Sequence, residues 1–175
     1  MFAGPLQQAL HRLKYRRDVI LADSLARVMH AAWRRYALPG EVVVPVPLSA
    51  ERLRERGYNQ AGLLARGFAE MAHLRYAPDG AARVRHTASQ VNLSAEQRRA
   101  NVAGAFHGRS RRVAGRSVIL VDDVCTTGAT LAACAAALRA EGAAQVWGLT
   151  LARARSPAHH AASAAAERTP ISHRR

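Results

Sequence analysis

Residues 118–131 read VILVDDVCTTGATL, and this stretch constrains the fold more than any other part of the chain. Four apolar residues, a run suited to a buried strand, lead straight into Asp122 and Asp123. Small, hydroxylated and glycine residues follow, and then a helical pattern from about Ala129 to Glu141. Gly142 comes next, a residue suited to ending a helix. Adjacent carboxylates repel, and burial sharpens the repulsion. The pair therefore marks either a ligand that wants two acceptors or a plainly exposed strand end.

Strand and helix patterns alternate along the chain. EVVVPV (41–46) and AQVWGLTLA (144–152) read as strands, like SVILV (117–121), with Arg83–Val84 as a weak one. Pro45 and Pro47 lack amide donors, so the first ladder should stop there. Leu21, Leu25, Val28, Met29, Ala32, Trp33 and Tyr36 recur at helical spacing in 18–36. Leu63, Leu64, Phe68 and Met71 mark a second amphipathic helix. Residues 47–60 form a basic loop or helical turn, and a turn falls at Pro78–Gly80. Ser94 with Gln97 three residues on is a capping-box pattern that opens a short helix. The alternation predicts an α/β fold, a mostly parallel sheet flanked by helices, over residues 1–155. Residues 156–175 show no period and read as a flexible tail.

Composition excludes several classes. With 175 residues and 49% hydrophobic content, one domain with a real core is expected. No apolar run approaches a membrane span. The N-terminus lacks a basic-apolar-small signal pattern, which implies a cytoplasmic protein. Cys125 and Cys134 support neither a disulfide framework nor a four-ligand zinc site, and the eight histidines lack metal-ligand spacing. The net charge of +14 invites a polyanionic partner. Genome bias toward arginine accounts for the scarcity of lysine, with Lys14 alone, but not for the excess over 12 acids.

In open α/β sheets, ligands bind beyond the carboxyl ends of the strands, where Asp122 and Asp123 fall. The following residues, Cys125, Thr126, Thr127, Gly128, Ala129 and Thr130, form a strand-to-helix segment. Its amides, hydroxyls and helix start suit a phosphate, and Gly128 allows close approach. A sugar phosphate fits: hydroxyls to the acids, phosphate to the loop. Alternatively the acid pair holds Mg²⁺ alone. A Walker A loop is excluded, because the sole lysine is far away in sequence, and no G-x-G-x-x-G follows a strand.

The run of four apolar residues, Asp-Asp, an apolar residue, a variable one and Thr-Thr-Gly-x-Thr resembles the phosphoribosyl-pyrophosphate motif of type I phosphoribosyltransferases. The resemblance implies that Asp122 and Asp123 bind ribose hydroxyls and that Cys125 to Thr130 bind the 5′-phosphate. LKYRRD (13–18), PVPLSAERLRERGYNQAGLLAR (45–66), RHTASQVNLSAEQRRANVAGAF (85–106) and LTLAR (149–153) are similar to the competence protein F (ComF) family.

That resemblance covers roughly residues 5–155 and implies a type I phosphoribosyltransferase-like fold. It also implies phosphoribosyl pyrophosphate with Mg²⁺ as the ligand and a role in DNA uptake. Members usually begin with a four-cysteine zinc module; this sequence has no cysteine before Cys125, so no zinc and no metal held by protein alone are expected. In this fold the loop after the first strand meets pyrophosphate, which points to Pro47, Leu48 and Ser49, with Arg52 and Arg56 close behind. Residues 85–106 take the place of a mobile catalytic loop, with Arg85, Gln90, Arg98 and Asn101 as candidate contacts. Purine-salvage relatives carry an aspartate where this chain has Thr126, which argues against 6-oxopurine transfer; no catalytic base can be named. Three functions stay open: a phosphoribosyltransferase, a competence accessory protein that meets single-stranded DNA and other competence proteins, or a regulator that senses phosphoribosyl pyrophosphate.

Overall fold

A computed structural model describes residues 4–16, 18–85 and 95–154. Its core is a parallel four-stranded sheet. The strands are β1 (Val42–Pro45), β2 (Arg75–Tyr76), β5 (Ser117–Cys125) and β6 (Gln145–Arg153), in the order β2-β1-β5-β6. β3 (Ala81–Arg83) and β4 (Phe106–Gly108) form a separate antiparallel pair. The helices are α1 (Pro5–Tyr15), α2 (Leu21–Tyr36), α3 (Ala50–Arg56), α4 (Gln60–Ala72), α5 (Ala95–Val102), α6 (Ser110–Val113) and α7 (Ala129–Ala140). The expected mostly parallel sheet with flanking helices is what the chain forms.

Strand alternation sorts the core into two layers. Val42, Val44, Val118 and Leu120 point to one face, where Cys134 and Leu138 of α7 cover them. Val43, Ile119 and Val121 point to the other, against Leu10 and Leu13 of α1, Met29 of α2, and Leu64 and Phe68 of α4. A strand buried on both sides reads as an unbroken apolar run, and that is why β1 and β5 stood out in the sequence. Each fully buried Leu or Phe contributes about 1.5–3 kcal/mol. Burial also pushes the Cys134 thiol up to about 12, so it serves as a small apolar filler.

The α2 stripe faces the core largely as expected, with Leu25 and Met29 buried and Leu21 and Trp33 packed against the same cluster, but two members differ. Val28 is 53% and Tyr36 69% exposed, whereas Ala22, Leu25, Ala26 and Met29 are buried. Small residues add Ala22 and Ala26 to the buried face. α4 crosses α2 where Gly67 meets Ala26, and a Cβ added at Gly67 would stand 3.1 Å from the Ala26 Cβ. Close approach at an Ala-Gly contact outweighs the larger apolar residues one position away.

The β1 ladder ends within the expected 41–46, its last bond being from the Val46 amide to Val121 O at 2.9 Å. The basic stretch after Pro47 contains the two-turn helix α3, with Ser49 as its cap. The Pro78–Gly80 turn is present, closed by Gly80 N donating to Ala77 O at 3.0 Å. α5 begins at Ala95, where the capping pattern placed a helix start, although Ser94 itself lies outside the described residues. The expected tail, 156–175, also lies outside them. α1, α6, β2 and β4 had no counterpart in the sequence reading. The last three have four residues or fewer, too short for a period to register. Among the described residues, no helix is long and apolar enough to cross a membrane.

Candidate functional site

β5 does not stop before the acids. It continues to Cys125, paired with β6 at Asp122–Thr150, Val124–Ala152 and Cys125–Arg153. β6 supplies the partners that keep this end of β5 extended, so the two carboxylates are held by a ladder and not by a loop. Asp123 is 4% exposed. Its Oδ2 is sealed from solvent and makes no hydrogen bond of ordinary geometry; the Lys14 ammonium meets it as an ion pair. Asp122 turns toward its neighbour, and its Oδ1 accepts from the Asp123 amide at 2.9 Å. Burial, reinforced by the charge of Asp123, pushes the Asp122 carboxyl up to about 8.

The turn beyond the acids is only Thr126–Gly128, because Cys125 belongs to β5 and Ala129 and Thr130 belong to α7. Gly128 is the N-cap residue of α7, with φ 79° and ψ −1°. Gly128 has no side chain to cap this helix, and no acid stands in its first turn. The positive end of its dipole and its leading amides therefore face the turn. Thr127 Oγ1 accepts from Ala129 N at 3.4 Å, Thr126 is exposed, and Thr127 and Thr130 are half-buried. Beside this turn lies a cavity of about 450 Å³, lined by Thr127, Gly128 and Ala129, by Ala132 and its α7 neighbours, and by Val102–Gly104. The alanines of α7 leave that room.

The arrangement combines two carboxylates, a bare helix N-terminus and a tight glycine turn within nine residues, Asp122–Thr130. A model of the phosphoribosyl transferase domain family matches residues 19–164. The DNA utilization protein YhgH of Escherichia coli strain K12 is 37% identical over 153 residues, covering 83% of this chain and 67% of that protein. Competence protein F of Haemophilus influenzae is 37% identical over 158 residues, covering 85% of this chain and 69% of that one. The chain belongs to the competence protein F family of phosphoribosyltransferase-like proteins.

Solved structures agree on the fold. The glutamine phosphoribosylpyrophosphate amidotransferase of B. subtilis superposes with a TM-score of 0.51 at 22% identity, over 73% of this chain and 26% of that one. The structure titled for the allosteric regulatory enzyme of purine biosynthesis gives 0.51 at 23%, over 75% and 26%.

Within this competence protein F-family fold, the remaining candidates occupy three places. Pro47, Leu48 and Ser49 form the half-buried β1–α3 loop. The Ser49 hydroxyl accepts from Arg52 N at 3.3 Å and so caps α3. Arg56 donates to Gln60 Oε1 at 2.8 Å and lies 5.3 Å from the centre of the Tyr15 ring. Arg52, Arg56, Lys14, Tyr15 and Glu55 line a second cavity, about 270 Å³. Arg85 faces neither cavity: it donates to Asn101 O at 3.0 Å and Ala103 O at 2.7 Å, tying the end of α5 to the β3 side. Gln90 and the Arg98 side chain lie outside the described residues.

Two cations, one at the acid pair and one near Arg52, were not among the expected site residues. Lys14 is remote from the acids in sequence, yet α1 carries it to Asp123. Its signal was present in the LKYRRD segment, behind the apolar positions Leu10 and Leu13. Arg83 lies 5.4 Å from the Phe106 ring centre across the β3–β4 pair. Burial lowers its pKa, and the charge of nearby Arg52 lowers it further. The β4 pairing that brings Phe106 opposite Arg83 involves three residues per strand and left no readable pattern.

Mg²⁺ held by the protein alone does not fit these residues. Carboxylates suit it, but an ammonium already meets Asp123. Among the described residues no three His, Cys, Asp or Glu side chains converge.

Proposed function

We propose that this chain binds phosphoribosyl pyrophosphate or a closely related sugar phosphate at the end of β5. The observation that carries the reading is the N-terminus of α7, with glycine at its N-cap and no acid in its first turn, just beyond Asp122 and Asp123. In this reading the ribose hydroxyls donate to the two carboxylates. The 5′-phosphate takes the amides and hydroxyls of Thr126–Thr130. The pyrophosphate lies toward the Pro47–Ser49 loop, with Arg52 at its side; arginine's planar fork matches phosphate oxygens. Mg²⁺ enters as the counter-ion of the pyrophosphate, as part of the ligand. Arg56 supports the site by holding Gln60 and Tyr15 in place. Calorimetry with phosphoribosyl pyrophosphate and Mg²⁺ tests binding, and a screen of nucleobases for pyrophosphate release then tests turnover. Heat of binding without release in any arm favours a sensor; absence of heat rejects the reading.

A second reading is favoured by charge. The relatives' names, competence protein F and DNA utilization protein, belong to those proteins. In this chain the net charge is +14, and Arg109, Arg111 and Arg112 gather around a single acid, Asp79. Three guanidinium groups against one carboxylate leave a surplus of positive charge on an exposed surface. That surplus suits single-stranded DNA in a competence role, with the sugar-phosphate site acting beside it.

A further inference from the structure

Lys14 is the only lysine in the chain, and it is not a loosely held surface cation. It sits on the last turn of α1 between two anchored neighbours. Leu13 is fully buried, and its carbonyl accepts from the Tyr58 hydroxyl. Tyr15 lies beneath the Arg56 guanidinium, 5.3 Å from ring centre to charge. The Lys14 side chain is 22% exposed and its Asp123 partner 6%. The ammonium therefore meets the sealed Oδ2 of Asp123 at the wall of the cavity lined by Arg52 and Arg56.

We propose that Lys14 is the built-in counter-ion of the acid pair, a specificity-determining residue that keeps free divalent cations off Asp123. The proposal deepens the sugar-phosphate reading and rests on it for its biological sense. Two adjacent carboxylates attract a divalent cation strongly, and a metal bound there in advance would occupy the acceptors that a ligand hydroxyl needs. An ammonium in contact with Asp123 repels a second cation at that oxygen. Its single charge also stays with the protein, so the acceptor face is preserved at any metal concentration. A divalent cation then enters only with the anionic ligand that carries it. Lysine suits this role because its charge is a compact point on a flexible stem, able to yield to an incoming hydroxyl without leaving the cavity.

The test uses Mn²⁺ alone, read by electron paramagnetic resonance on the full chain, with no sugar phosphate in any arm. The result therefore stands apart from the success or failure of the ligand reading. The unaltered protein is expected to leave Mn²⁺ free throughout the micromolar range. Lys14→Met is expected to bind it at least tenfold more tightly, and the added change Asp123→Asn should abolish the gain. Lys14→Gln, which keeps a polar group near the buried acid, provides the same reading if the Met variant fails to fold by circular dichroism. Micromolar Mn²⁺ binding by the unaltered protein would overturn the proposal. So would folded Lys14 variants that bind no better than it, or a gain that survives Asp123→Asn.

Discussion

The Asp123 amide donates to Asp122 Oδ1 at 2.9 Å, so one acid is oriented by the backbone of the next. Asp122 is thereby fixed in a half-buried place beside a second charge, and its carboxyl is pushed up to about 8. A carboxyl raised in the folded state binds its proton more tightly there than in the unfolded chain. Its penalty is absent below pH about 4, grows as pH rises, and is complete above about 8. Stability should therefore decline across that window. Asp122→Asn should remove the decline and stabilise the protein at pH about 8.5, with the gain shrinking toward pH about 4.5. Thermal melts of both proteins across this range measure it; parallel curves would exclude Asp122 as the cause.

Gly128 has φ 79°, a conformation costly for a β-branched residue. A Cβ added there meets only Cys125 Sγ, at 3.9 Å, so space is not the obstacle. Gly128→Val should lower stability by about 1–3 kcal/mol and abolish binding of phosphoribosyl pyrophosphate. Calorimetry decides this: unchanged affinity in the folded variant would remove the turn from the phosphate site.

Each charge-assisted hydrogen bond contributes about 1.5–3 kcal/mol. Asp122→Ala with Asp123→Ala should weaken sugar-phosphate binding about a hundredfold or more, at about 1.4 kcal/mol per factor of ten. Inorganic phosphate should bind the double variant as well or better, because the negative charge that the acid pair carries near the turn is gone and the Lys14 ammonium is released. Equal loss for both ligands would instead mean that the turn itself had collapsed.

Asp79 tempers the basic surface. It meets Arg109 at 3.4 Å, Arg111 at 3.9 Å and Arg112 at 3.0 Å. Desolvation pushes its carboxyl up, but the hydrogen bond and charge of Arg112 prevail and lower its pKa. Changing the three arginines together to Ala should reduce the salt slope for single-stranded DNA by about 1.4, the equivalent of two phosphates. Asp79→Asn should act in the opposite direction and tighten binding. Fluorescence anisotropy with a labelled oligonucleotide at several salt concentrations reads both changes. A slope unmoved by either places the DNA contact elsewhere or nowhere on this chain.

Much of the site was legible because its chemistry is local. A buried strand, two acids, a glycine turn and a helix start follow one another within residues 118–131, and each has a residue-level signature. β1, α4, α7 and β6 were legible for the same reason, since hydrophobic period and terminating residues lie within the element. The three-residue β3–β4 pairing was not, because such short strands carry no period and are selected by partners. Nor was the part that Ala22 and Ala26 play in the buried face of α2, where Ala26 meets Gly67 of the neighbouring helix.

The sequence by itself determined the α/β order, the adjacency of the acids to the turn, and the surplus of positive charge. Only the tertiary structure decided which charges meet: Lys14 with Asp123, three arginines with Asp79, Arg56 with Tyr15. Such pairings join elements far apart along the chain. They depend on how helices pack across a sheet, and short-range spacing in the sequence does not encode that geometry.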